Sequence, residues 1–60
     1  MYRLAIGATY KDYRRLGNAL NAFWKFYNKT PTKLMPNISI YSMNLKYYVI
    51  AYDSREGFRF

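Results

Sequence analysis

Apolar and aromatic side chains occupy every second position at the start of the chain, from Tyr2 to Ala8. This period of two is typical of a strand with one buried face. Thr9 then resembles a helix N-cap, because its hydroxyl can accept a hydrogen bond from the amide of Asp12. We therefore predict a first strand over residues 2–8, followed directly by a helix.

The next stretch repeats its apolar residues at steps of three and four, which predicts an amphipathic helix from about Tyr10 to Asn28. The apolar stripe comprises Tyr13, Leu16, Leu20, Phe23, Trp24 and Tyr27. The polar arc comprises Lys11, Arg14, Arg15, Asn18, Asn21, Lys25 and Lys29. Ala19 and Phe26 lie on a flank outside both arcs, so Phe26 is a candidate contact for a second copy. Gly17 lies beside the stripe, where a strand could approach closely.

Two prolines, Pro31 and Pro36, predict a connecting loop over residues 30–37. Residues 38–43 and 45–53 are rich in β-branched and aromatic side chains and predict a hairpin that turns at Met43 and Asn44. In this register one face, toward the helix, carries Ile38, Ile40, Leu45, Tyr47, Val49 and Ala51. The other carries Ser39, Tyr41, Lys46, Tyr48, Ile50 and Tyr52. A shift by one residue would invert this division.

Residues 53–57 have the composition of a turn, and the last three residues alternate again. We predict a short terminal strand with Phe58 and Phe60 inward and Arg59 outward. The chain is thus expected to form one α+β domain over residues 1–60, in the order β-α-β-β with the terminal strand added. One amphipathic helix packs on one face of a three- or four-stranded sheet, and the opposite face stays open.

Composition narrows the functional classes. The 60 residues include eight Tyr, four Phe and one Trp, with no Cys and no His. Disulfides and an ordinary zinc site are therefore excluded, and so is histidine acid–base chemistry. Asp53 and Glu56 could share a magnesium ion in a nuclease, although two acids in one turn usually face solvent only. We predict a non-enzymatic binding protein with no cofactor and no metal.

Charge suggests the partner. Ten Lys and Arg against three acids give a net charge of +7, which favours phosphates or an acidic surface. Nucleic acid is the leading prediction, with two candidate surfaces. On the open sheet face, bases would stack on tyrosines beside cations, the residues being Tyr41, Tyr48, Tyr52, Arg3, Lys46 and Arg59. The RNA-recognition motif uses such a layout, but its signature run is absent here. On the helix, phosphates would contact Lys11, Arg14, Arg15, Asn18, Lys25 and Lys29.

Three alternatives remain open. The chain resembles small bacteriophage accessory proteins in composition, which suggests an effector that binds an acidic surface of a larger protein. A homodimer could instead use the aromatic sheet face as its seam. A basic amphipathic helix can also lie on an anionic membrane. We expect no membrane partner, because the sheet needs the same apolar stripe. With no secretory signal and no apolar run of about 20 residues, we expect a cytoplasmic protein.

Overall fold

The computed structural model describes residues 1–59, which contain five strands, one α-helix and one short 3₁₀ helix. The elements are β1 (Tyr2–Ile6), β2 (Thr9–Tyr13), α1 (Leu16–Lys29), the 3₁₀ helix (Thr32–Leu34), β3 (Ile38–Ser42), β4 (Tyr47–Asp53) and β5 (Gly57–Arg59). The strands form a single antiparallel sheet in the order β2-β1-β3-β4-β5. α1 packs on one face of this sheet. The predicted α+β class, with one helix covering one face, is confirmed.

The predicted N-cap at Thr9 is wrong, because Thr9 begins an additional strand. The chain reverses after β1 through Gly7, whose positive φ of 58° suits a residue without a side chain. The Thr9 hydroxyl donates to the Ile6 carbonyl at 3.0 Å and ties the turn together. Residues 9–13 then pair with β1 along its whole length. The pattern of β2 suits a strand as well as a helix start, and the backbone ladder with β1 decides between them.

The helix therefore starts at Leu16 instead of Tyr10, with Arg15 at its N-cap position. Its core-facing side is centred on Ala19 and Phe23, which are fully buried. Phe26 packs against the core but is only partly buried, so its contact with a second copy stays a prediction. Gly17 has open space around it, and no strand approaches it. Because Tyr13 belongs to β2 and not to the helix, the buried stripe of α1 is centred closer to the flank that holds Ala19 and Phe26.

The hairpin between β3 and β4 has a longer turn than predicted. A two-residue turn would need left-handed backbone at Met43, which a long side chain disfavours. The chain instead turns over four residues, 43–46, and Lys46 takes the left-handed conformation with φ 58°. Its N–H donates to the Ser42 carbonyl at 2.8 Å, and the Ser42 hydroxyl accepts from the Leu45 N–H at 3.2 Å. Ser42 therefore pairs with Tyr47 instead of Leu45.

A β-bulge changes the faces of β4. Tyr41 pairs with Tyr48, and the preceding residue of β3, Ile40, pairs with Ile50. Val49 is therefore an extra residue between two registered pairs. Beyond the bulge, Ile50 and Tyr52 point toward α1 and are buried, contrary to the predicted division. Leu45, predicted to face the helix, lies in the turn and is exposed. Tyr47 pairs with the helix-side residue Ser42, as its predicted face requires, but is exposed as well. Ile38 and Ile40 face the helix as predicted and are fully buried.

The last strand closes the aromatic part of the core. Phe58 lies opposite Tyr52 on β4, with ring centroids 5.0 Å apart, and also contacts Trp24 and Tyr27 of α1. Its predicted inward direction is confirmed. Arg59 lies opposite Ala51 and points away from the helix, also as predicted. Phe60, for which an inward direction is also predicted, lies outside the described residues.

Phe23→Ala should lower the free energy of unfolding by about 3–5 kcal/mol, because a fully buried ring is replaced by a cavity. A loss of that size approaches the whole stability of a small domain, roughly 5 kcal/mol. Urea denaturation followed by circular dichroism measures it. Asn21→Ala, on the exposed side of α1, is the matched control and should change stability by less than about 0.5 kcal/mol. Equal midpoints for the two variants would contradict the assigned core.

Candidate nucleic-acid interface

The sheet face opposite to α1 is not covered by any other element of residues 1–59, and we call it the open face. Strand alternation from the buried residues Leu4, Ile40 and Ile50 defines which side chains point there. They are Tyr10 and Asp12 on β2, Arg3 and Ala5 on β1, Ser39 and Tyr41 on β3, Tyr48, Ala51 and Asp53 on β4, and Arg59 on β5. The open face thus combines three tyrosines, two arginines and several small residues.

The tyrosines of the open face are accessible. Tyr41 and Tyr48 lie opposite each other, with ring centroids 5.0 Å apart in an edge-to-face arrangement. Tyr48 is 61% exposed and Tyr10 is 62% exposed. Tyr52, the third tyrosine predicted for this face, is 8% exposed and packs against Tyr27 in the core. The sequence interpretation missed Tyr10, although the alternation within β2 was a signal that could have placed it.

Arg3 is held rigidly between an acid and a ring. Its Nε donates to Asp12 Oδ1 at 2.9 Å, and its Nη2 donates to Asp12 Oδ2 at 3.2 Å. Its guanidinium carbon also lies 4.0 Å from the centroid of the Tyr10 ring. The hydrogen bond from Arg3, reinforced by its charge, holds the pKa of Asp12 below its ordinary value. Two of the five guanidinium N–H groups are used in this way, which leaves three for a ligand.

Tyr48 separates two shallow depressions on the open face. One depression is lined by Arg3, Ala5, Ser39, Tyr41, Met43 and Tyr48. The other includes Asn37, Ser39, Tyr48, Ala51, Asp53 and Arg59. A row of small residues runs through both depressions, since Ala5 pairs with Ser39 and Ser39 pairs with Ala51. Flat rings can therefore approach the backbone on either side of Tyr48.

The remaining predicted residues of this face have other positions. Arg59 is on the open face and forms an ion pair with Glu56. Lys46 belongs to the β3–β4 turn instead of lying opposite Tyr41, so its predicted place within the face is wrong. The turn that carries it leads directly into β4, the strand that carries Tyr48.

The predicted basic surface of the helix is divided between three elements. Lys11 lies on β2 with its ammonium 5.5 Å from the Tyr13 ring, and Arg14 and Arg15 link β2 to α1. Asn18, Lys25 and Lys29 lie on α1 itself and are exposed. The prediction of one continuous helical arc is therefore wrong. The early end of the arc was assigned to the helix because β2 was not recognised.

Most cations have no acidic partner within residues 1–59. Arg3 and Arg59 form the two ion pairs found there. Eight exposed cations form none, namely Lys11, Arg14, Arg15, Lys25, Lys29, Lys33, Lys46 and Arg55. The remaining carboxylate, Asp53, accepts from the Arg55 backbone N–H at 2.7 Å. The positive charge of the chain is therefore directed mainly toward solvent.

Comparisons of the chain with protein-family models, with curated proteins and with solved structures give no match. Among residues 1–59, no three His, Cys, Asp or Glu side chains gather into a group that could hold a metal ion. In the same range, no helix has the length and apolar character required to cross a bilayer. The chemistry of the open face itself therefore decides which ligands fit it.

Asp12→Asn should lower the thermal unfolding midpoint slightly at about pH 7, because it breaks the solvent-exposed pair with Arg3. The pKa of Asp12 is lower in the folded state than in the unfolded state. The pair therefore stabilises the fold above the unfolded-state pKa, and this contribution is lost as pH falls through the folded-state pKa.

Thermal denaturation of wild type and Asp12→Asn at about pH 7 and about pH 2 measures this contribution. The difference between their unfolding midpoints should disappear at the lower pH. Asp53→Asn is a matched carboxylate-to-amide control, since Asp53 has no cationic side chain as a partner within residues 1–59. A difference between wild type and Asp12→Asn that persists unchanged in acid would contradict the assigned pair.

Proposed function

We propose that this chain is a small, non-enzymatic nucleic-acid-binding protein that holds unpaired bases on its open face. The observation that carries the proposal is the display of Tyr10, Tyr41 and Tyr48 on a sheet face that nothing in residues 1–59 covers. Stacking of a base on an aromatic side chain contributes about 1–3 kcal/mol. It tolerates any sequence, because every base has a flat face.

The spacing of the rings suits a single strand. Across the sheet, Tyr10 on β2 and Tyr48 on β4 are three strand spacings apart, about 14 Å at roughly 4.8 Å each, and they are also offset along the strands. A few nucleotides can bridge this distance across the sheet. The row of small residues between the rings lets the bases lie close to the backbone. A duplex, whose bases are already stacked on each other, cannot use these rings.

Cations lie on the open face and in the turns at the ends of β4, where they can contact phosphates. Arg3 offers its remaining N–H groups beside Tyr10. Lys46 and Arg55 lie in the turns at the two ends of β4, the strand that carries Tyr48. The other unpaired cations, including Lys25 and Lys29 on α1, strengthen the long-range attraction of a polyanion. The absence of cysteine also fits a protein that acts in the reducing environment of the cytoplasm.

A second candidate function is favoured by the tip of the β3–β4 hairpin. Met43, Leu45 and Tyr47 are 38%, 62% and 54% exposed there. Arg14 lies at the same end of the sheet, because Tyr13 and Ser42 both pair with Tyr2. An apolar tip beside cations suits an effector that docks into an apolar pocket on an acidic protein.

In a homodimer, by contrast, the open face would be the contact surface between the two copies, and sizing chromatography at several concentrations would detect the dimer.

Salt should weaken the binding of a fluorescently labelled oligothymidine strongly. If three or four phosphates are neutralised, the Kd should rise roughly 40- to 150-fold between about 50 and about 300 mM salt, because counterions are released on binding. Fluorescence anisotropy measures the Kd at each salt concentration. Absence of binding at the lower salt concentration would refute the proposed function.

Tyr48→Ala should weaken oligothymidine binding by about 1–3 kcal/mol, because a stacking surface is lost. Tyr48→Phe keeps the ring and should bind nearly as well as wild type. Tyr47→Ala, which removes an equally exposed ring at the hairpin tip, is the matched control and should also bind normally. Loss of binding in Tyr47→Ala but not in Tyr48→Ala would move the site from the open face to the tip.

A further inference from the structure

The depression between Tyr48 and Arg59 has features that the stacking of bases does not by itself require. We propose that it is a recognition site for one unpaired guanine base. Its lining includes Asn37, Ser39, Tyr48, Ala51, Asp53 and Arg59. This inference rests on the proposed function, because the base arrives as part of a strand bound to the open face.

The shape of the depression suits a flat heterocycle. Ser39 and Ala51 lie opposite each other on β3 and β4, and both side chains are small. Tyr48 lies at one end of this floor along β4, and Arg59 lies beside Ala51 on β5. Aromatic rings and guanidinium planes are the two protein groups on which unpaired bases stack. A base entering the depression can therefore stack on the Tyr48 ring or on the Arg59 guanidinium.

The polar groups of the depression match one base edge. The Asp53 carboxylate accepts the Arg55 N–H through Oδ1 at 2.7 Å, which fixes its orientation and leaves Oδ2 for a ligand. The Asn37 side-chain oxygen accepts the Ser54 N–H at 3.4 Å, so its amide group remains as a donor. The Ser39 hydroxyl is a second donor. The site thus offers a fixed acceptor together with two donors.

Guanine is the base whose Watson–Crick edge carries two neighbouring donors, N1–H and the 2-amino group, beside an acceptor, O6. The carboxylate of Asp53 can accept from both donors, while the amide of Asn37 or the hydroxyl of Ser39 donates to O6. Adenine, cytosine and thymine place an acceptor next to their donor on this edge. A carboxylate, which only accepts, is poorly matched to them. Discrimination by such paired contacts amounts to roughly 5- to 150-fold in affinity.

The test compares three labelled octanucleotides by fluorescence anisotropy, namely oligothymidine and the same strand with one central guanine or one central adenine. The guanine strand should bind at least about fivefold more tightly than the other two. In Asp53→Asn this preference should disappear, while oligothymidine should bind at least as tightly as it does to wild type, because a negative charge is removed from the face. The amide oxygen can still accept the Arg55 N–H, so the turn is kept, and circular dichroism verifies the fold.

The outcomes separate the two proposals. Equal affinity for the three strands, or a preference for adenine, would overturn the guanine site and leave the proposed function in place. A guanine preference that survives in Asp53→Asn would likewise overturn the site. Failure of all three strands to bind would overturn both proposals. A preference that is present in wild type and lost in Asp53→Asn supports the site.

Discussion

The fold depends on the burial of one helix face against one face of the sheet. Ala19 and Phe23 of α1 are completely enclosed and cover Leu4, Ile40 and Ile50. The described chain has one helix of this size, so it can shield one side of the sheet. The other side must tolerate water, and it does so with small residues, tyrosines and an arginine paired to an acid. The open face is therefore a direct consequence of the single helix.

Because of the bulge at Val49, Tyr48 and Tyr52 of β4 lie on opposite faces of the sheet. With strict alternation, Tyr48 and Tyr52 would share a face, because they are four residues apart. The inserted residue shifts the alternation of side chains by one position, so Tyr48 stays on the open face while Tyr52 enters the core. There Tyr52 joins Tyr27 and Phe58 in an aromatic cluster. One strand thus supplies both a stabilising ring and an accessible ring.

The cations also fall into two groups with different physical roles. Arg3 and Arg59 lie on the open face and are oriented by Asp12 and Glu56. The planar guanidinium is itself pre-organised, so less entropy is lost for each hydrogen bond that it forms with a ligand. The eight exposed cations without an acidic partner in residues 1–59 provide net attraction instead. For a strand of nucleic acid, the first group would position bases and the second would bring the phosphates to the surface.

The sequence by itself determined what depends on local periodicity: the α+β class, the first strand, the middle of the helix, the hairpin and the outward direction of Arg59. It also placed Arg3, Tyr41 and Tyr48 on the open face. The tertiary structure decided what depends on pairing between distant segments. Residues 9–13 became a strand because β1 offered its backbone groups, and this revealed Tyr10. Turn length and the bulge then set the register that buried Tyr52. Hydrophobic periodicity in a sequence shows that a strand or helix has a buried and an exposed face. Hydrogen bonds between strands that are distant in sequence select which residues occupy each face.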